Sequence, residues 1–219
     1  MDIVIAGGHG KIALHLEPLL VEAGHRVRGL IRNPAYAPDL EARGAEAVVA
    51  DLEELDVDAL AALLGSADAI VFAAGAGPGS GPQRKWTVDY AGAVKLMEVA
   101  RRNGIDRYVM VGSMGADPDA EDDGGFGTYL RAKGQADLKL TESGLAYTIV
   151  RPGGLTDDLG TGHVTAAEHV DRGQIPRADV AAVLATVLAT PGTAGLAFQL
   201  VSGDTPIPEA IARLARLRT

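Results

Sequence analysis

The chain has 219 residues, of which 47% are apolar, with a formal net charge of −9 and no cysteine. The acidic balance speaks against nucleic acid and anionic membrane as partners, since both require basic surface, and the missing thiol excludes disulfides and thiolate chemistry. The composition suffices for one large core, so a single domain over residues 1–219 is expected, in the cytoplasm and with no membrane-spanning segment.

Taken in order, residues 2–6 (DIVIA) read as a short buried strand, broken by Gly7-Gly8-His9-Gly10. Ile12, Leu16, Leu19 and Leu20 then recur at helical spacing, Gly24 ends that helix, and residues 25–31 form a second strand. A broken helix interrupted by Pro34 and Pro38 follows, then a third strand over 45–50, a helix over 57–64 and a fourth strand over 67–72. A glycine-rich loop leads to a long helix over 85–102, with Asp89 near its beginning, and to a fifth strand over 107–113 that ends in Ser113. Residues 114–127 hold Asp117, Asp119, Glu121, Asp122 and Asp123 among glycines and are expected to form a mobile acidic loop. A helix over 126–143, a sixth strand over 145–150, an irregular stretch over 160–170, a helix over 179–190, a strand over 196–202 and a helix over 208–217 complete the chain. Strand and helix signals alternate throughout, which predicts an α/β doubly wound parallel sheet, a three-layer α/β/α Rossmann architecture.

The first turn has a chemical use. In Gly7-x-x-Gly10-x-x-Ala13 the glycines let backbone approach a pyrophosphate, and Ala13 lets helix and strand pack closely. Free N–H groups at the helix start, around Lys11 and Ile12, favour an anion, and His9 lies inside the same turn. The second strand ends in Arg32-Asn33, and no acid follows until Asp39. An NAD site usually places a carboxylate there for the ribose 2′-hydroxyl, whereas a guanidinium pairs with a 2′-phosphate, so NADP is expected in preference to NAD. Asp51-Leu52 ends the third strand on the ligand side of the sheet. Asp51 either accepts from the adenine amino group or caps the following helix. Ala73, Ala74 and Gly75 after the fourth strand are small enough for a ligand to lie flat on backbone.

Tyr129 and Lys133 stand at i and i+4 on one helix face. An ammonium beside a phenol stabilises the phenolate, so Tyr129 is a candidate proton donor or acceptor toward a carbonyl or alcohol. Lys133 also suits a cofactor ribose, and Ser113 is placed to hydrogen-bond the reacting oxygen. His15, His25, His163 and His169 show no paired spacing for a metal, and the acidic loop does not match an EF-hand, so no metal is expected.

The set Gly7-x-x-Gly10-x-x-Ala13, Asp51-Leu52, Ser113, Tyr129-x-x-x-Lys133 and Arg151-Pro152-Gly153 resembles the short-chain dehydrogenase/reductase superfamily. The glycine spacing is similar to its extended and atypical branches, and the chain most resembles atypical NAD(P)-binding proteins of the epimerase/dehydratase type, akin to the NmrA-like and biliverdin-reductase-B-like groups. The resemblance implies that Ser113, Tyr129 and Lys133 match the family's catalytic residues, with Pro152 in the cofactor site. It also implies an oxidoreductase or epimerase/dehydratase acting on a small carbonyl or hydroxyl compound by hydride transfer. One position departs: the family's tetrad usually has Asn where this chain has Asp89, and an ionised Asp only accepts. Asp89 is therefore read either as a group orienting Lys133 or as a cap near the start of its helix. A non-catalytic NADP(H)-sensing protein is the alternative that this departure favours. A nucleotide-sugar enzyme is disfavoured because residues 155–174 offer little to enclose a sugar nucleotide.

Overall fold

A computed structural model describes residues 1–77 and 79–217. The first unit is β1 (Asp2–Ala6), α1 (Lys11–Glu22) and β2 (Arg26–Ile31), with β1 and β2 parallel and Ile3 level with Val27. A 3₁₀ turn over Pro34–Tyr36 leads to the short α2 (Ala37–Glu41), β3 (Glu46–Val49), α3 (Val57–Leu64) and β4 (Ala69–Phe72). The next helical run has three parts: α4 (Gly81–Arg84), a π-helix over Lys85–Gly92 and α5 (Ala93–Arg102). After β5 (Arg107–Val111), α6 (Phe126–Thr141) and β6 (Ala146–Pro152), the chain makes β7 (Gly154–Thr156), β8 (His163–Ala167), β9 (Gln174–Pro176), α7 (Arg177–Leu188), β10 (Leu196–Ser202), β11 (Thr205–Pro206) and α8 (Ile207–Arg216).

Among the described residues the main sheet has the order β11–β8–β10–β6–β5–β4–β1–β2–β3. Every pair from β10 to β3 is parallel, as the alternation requires. One apolar layer joins α1, α7 and α8 to one face of the sheet, around Leu16, Val183 and Ile211. The other joins α3, α5 and α6 to the opposite face, around Leu60, Leu96 and Leu140. The chain runs outward from β1 through β2 to β3, then returns to β4 on the other side of β1. That reversal opens a crevice at the carboxyl ends of β1 and β4, the position where open α/β sheets take ligands.

Four expectations are corrected. Residues 160–170 are not irregular throughout: His163–Ala167 is a strand, antiparallel to both β10 and β11. Only Val164 of it is fully buried, so its sequence lacks the alternation that marks a strand, and pairing partners define it instead. The sheet is thus mixed at this edge. The helix expected from residue 85 begins at Gly81 and passes through a π segment. The cap of α3 is Asp56, whose Oδ1 accepts from the Ala59 N–H at 2.8 Å, not Asp51. The acidic stretch is not a free loop either. Asp117 N–H donates to Leu130 O, Gln135 Nε2 donates to Pro118 O, and Asp123 accepts from the N–H groups of Gly125, Gly127 and Thr128 at the start of α6. The contact is so close that a Cβ on Gly134 would lie 2.2 Å from the Asp117 carbonyl carbon.

Glu17 on α1 is fully buried beside Leu40 and Gly29, and neither carboxyl oxygen has a hydrogen-bond partner among the described residues. Burial pushes its carboxyl up to about 8, partly opposed by the Arg43 guanidinium. The folded protein therefore binds a proton between about pH 4.5 and 8 that the unfolded chain releases, so stability falls as pH rises through that window, by up to about 1.4 kcal/mol per pH unit. Glu17→Gln carries no such proton. Its melting temperature is expected to match the parent near pH 5 and to exceed it at pH 8–9, as thermal denaturation across that range will read.

Candidate active site

The crevice has two connected halves that share Ala73, Ala74 and Gly75. The half beside the first turn has a volume of about 310 Å³ and is lined by Gly7, His9, Gly10, Arg32, Tyr36, Asp51, Leu52, Glu53 and Arg84. Gly7 has φ +80°, and a Cβ there would stand 2.7 Å from the Ala74 Cα, so the turn closes on the segment after β4 only without a side chain. A Cβ on Gly8 would likewise lie 2.8 Å from the Gly29 Cα of β2. Gly10 is the N-cap of α1 and supplies no capping side chain, and the first turn contains no acid. The first free N–H is left to Lys11, with those of Ile12 and Ala13 behind it, because intrahelical bonding begins with Leu14 N–H to Gly10 O. That donor set, together with the helix dipole, fits a diphosphate.

At the far wall of this half, Glu53 accepts from Arg84 at 2.7 Å and from Thr87 at 2.6 Å, and these bonds hold its carboxyl below the usual range. Arg32 reaches Glu53 only at 3.6 Å and keeps a 58% exposed side chain. The wall thus carries the guanidinium groups of Arg32 and Arg84 with the carboxylates of Glu53 and Asp51, and of these Arg32 is the loosely engaged one. His9 stacks on Tyr36 with ring centroids 3.8 Å apart, and its Nε2 lies 2.7 Å from Asp39. The pair forms a flat side wall to the turn.

The other half has a volume of about 610 Å³ and is lined by Ile12, Ser113, Tyr129, Lys133, Pro152 and Arg177 among others. Tyr129 and Lys133 come from α6 and Ser113 from the end of β5, so strand and helix converge at one point. Lys133 is 4% exposed; its Nζ donates to Val111 O at 3.1 Å and lies 3.2 Å from Asp89 Oδ1. Asp89 is 1% exposed, and its Oδ2 also accepts from the Ala76 N–H at 3.0 Å. Burial pushes the Lys133 ammonium down, but its electrostatic interactions with Tyr129, Asp89 and Asp137 outweigh that and hold the group above the ordinary lysine range. Behind it, Asp137 is paired with Arg151 at 2.7 Å; burial raises this carboxyl and Arg151 opposes the rise. Asp89 is therefore neither a cap nor at a helix start. It lies in the middle of the helical run and is the carboxylate partner of Lys133.

Two side chains expected near the cofactor are absent from the lining of both cavities. The Asn33 side chain accepts from the Ala35 N–H and caps the 3₁₀ turn. The Lys11 ammonium pairs with Asp157, leaving its backbone N–H at the turn. Residues not foreseen are Tyr36, Glu53 and Arg84 on one side and Lys85, Phe126, Leu155 and Arg177 on the other. Lys85 had a legible signal, since it precedes Asp89 by one helical turn.

The profile of a family described as NAD(P)H-binding matches residues 7–191. The chain belongs to that family. It is 40% identical over 215 residues to the uncharacterised sugar epimerase YhfK of Bacillus subtilis, covering 98% of this chain and 100% of that one. A solved structure from Bacillus halodurans, provisionally described as an NAD-dependent epimerase/dehydratase, superposes with a TM-score of 0.91 at 39% identity, over 97% of this chain and 99% of that one. ChuY, an anaerobillin reductase from Escherichia coli O157:H7, has a TM-score of 0.78 at 25% identity, over 93% and 98% of the two chains. The expected Rossmann architecture and NAD(P)-binding family are thus both found. No helix of the described residues is long and apolar enough to cross a membrane.

Removing one member of a buried ion pair leaves the other charge uncompensated, a loss of about 3–5 kcal/mol. Asp89→Ala is expected to lower unfolding free energy by that order in denaturant titration. With its carboxylate partner gone, burial is expected to move Lys133 downward, as its chemical modification across a pH series will show.

Proposed function

We propose that the protein is an NADP-dependent reductase of small carbonyl compounds. The observation that carries this reading is the convergence of Ser113, Tyr129 and Lys133 on one cavity that is continuous with the dinucleotide crevice. The bound nicotinamide supplies the hydride. Ser113 and the Tyr129 hydroxyl hold the substrate oxygen, and Tyr129 passes its proton to that oxygen as negative charge develops there. Lys133, on the same helix face, favours negative charge on the phenolic oxygen as its proton leaves. Asp89 and Val111 O keep the ammonium aimed, which makes Asp89 a positioning residue and argues against the sensing alternative that its replacement of Asn suggested. The reductase named among the similar structures supports the reaction class. The small β7–β9 pairing and the segment around it cover the substrate end of a single domain in this reading, and the cysteine-free composition suits a reducing cytoplasm.

The preference for NADP rests on Arg32 and Arg84 at the adenosine end, whose guanidinium groups suit a 2′-phosphate, with Arg32 58% exposed and only loosely engaged by Glu53. Arg32→Ala is expected to weaken NADPH about 10- to 100-fold while leaving NADH within about twofold, as fluorescence titration of each will show. An equal loss for both cofactors defeats the assignment. Tyr129→Phe is expected to lower turnover of aldehydes and ketones at least about 100-fold with NADPH affinity retained, and activity that survives the change removes the acid/base role.

A further inference from the structure

We propose that the carbonyl substrate carries a carboxylate and that Lys85 is the residue that selects it. The inference rests on the reading of this cavity as a carbonyl-reducing site and goes beyond it by naming a substrate class. Three cations line the larger half of the crevice. Lys133 is paired with Asp89 at 3.2 Å, and Arg177 with Asp157 at 2.6 Å. Lys85 differs: its Nζ donates to two neutral oxygens, Gly77 O at 2.8 Å and Ser80 Oγ at 3.2 Å, and no carboxylate among the described residues pairs with it. In a chain of net charge −9, an ammonium left without an acid at the wall of a cavity is a local attractor for an anion.

Its place relative to the reacting group gives the substrate its shape. The Lys85 ammonium stands 5.7 Å from the centroid of the Tyr129 ring. A molecule whose carbonyl meets the Tyr129 hydroxyl therefore has a second group within reach of Lys85. The same cavity offers apolar surface: Phe126 stacks on Tyr129 with centroids 5.8 Å apart and is 67% exposed, and Leu155 and Pro82 are also in the lining. A flat apolar body with a carbonyl at one end and a carboxylate at the other satisfies all three. A carboxylate accepts from an ammonium in a charge-assisted bond, whereas the ester of the same acid offers no charge to recognise.

Two variants separate charge from scaffolding. Lys85→Gln keeps a polar N–H donor at this position but carries no charge, and Lys85→Arg keeps the charge. With NADPH and the full chain, 4-formylbenzoate and its methyl ester are matched probes; each aldehyde gains a hydride and a proton to give the alcohol while NADPH is oxidised to NADP⁺. The parent and Lys85→Arg are expected to favour the acid, and Lys85→Gln is expected to lose about 10- to 100-fold on the acid, chiefly in KM, with the ester within about twofold. Benzoate binding gives a readout without turnover, because Trp86, the single tryptophan, adjoins Lys85. Benzoate is expected to change Trp86 emission saturably, benzamide is not, and Lys85→Gln is expected to weaken benzoate by the same factor as the acid aldehyde. Equal use of acid and ester by the parent, unaltered benzoate binding in Lys85→Gln, or a matching loss of NADPH affinity in that variant overturns the inference while leaving carbonyl reduction intact. Lys85-dependent benzoate binding without reduction of either aldehyde keeps the anion site and removes the reductase reading.

Discussion

A buried ammonium requires a buried partner, and the pairing of Lys133 with Asp89 organises the larger half of the crevice. The pair joins α6 to the π-helix beneath the cavity floor, and its remaining hydrogen bonds reach the end of β5 through Val111 O and the segment after β4 through the Ala76 N–H. Four parts of the chain, far apart in sequence, are thus fixed to one charge. Neither member tolerates isolation at 4% and 1% exposure, so the arrangement is held by the cost of breaking it as much as by the attraction itself. Asp137 and Arg151 extend the alternation of charge behind Lys133 and leave the floor of the site close to neutral.

The other end of the crevice is built on absence of side chains. Gly7 and Gly8 bring backbone against the segment after β4 and against β2 at distances that no Cβ allows, and the start of α1, without a capping side chain, leaves N–H groups for an anion. One end of the site is therefore preorganised by close backbone packing and the other by charge. The switch point of the sheet places both at the same edge, because β1 and β4 end side by side and β5 ends next to β4.

Lys85 shows why an inventory of charges needs partners as well as positions. Lys133 and Arg177 line the same cavity, yet each is answered by a carboxylate of its own chain. Lys85 is answered by a carbonyl and a hydroxyl, and so keeps a field that a ligand can use.

The sequence by itself determined the alternating architecture, the first βαβ unit and its glycine turn, because period, β-branching and punctuation by glycine act locally. It also determined that Tyr129 and Lys133 share one face of α6, since i and i+4 lie on the same side of a helix whatever the rest of the chain does. The tertiary structure alone decided the partner of Lys133, the cap of α3, the strand His163–Ala167 and the tying of the acidic stretch to α6. Each of these joins groups distant along the chain or resolves a local ambiguity, as with Asp51 and Asp56, by which carboxylate reaches a free N–H. A strand with a single fully buried residue has no periodicity to read, and a carboxylate reveals its role only when its counter-charge is in place.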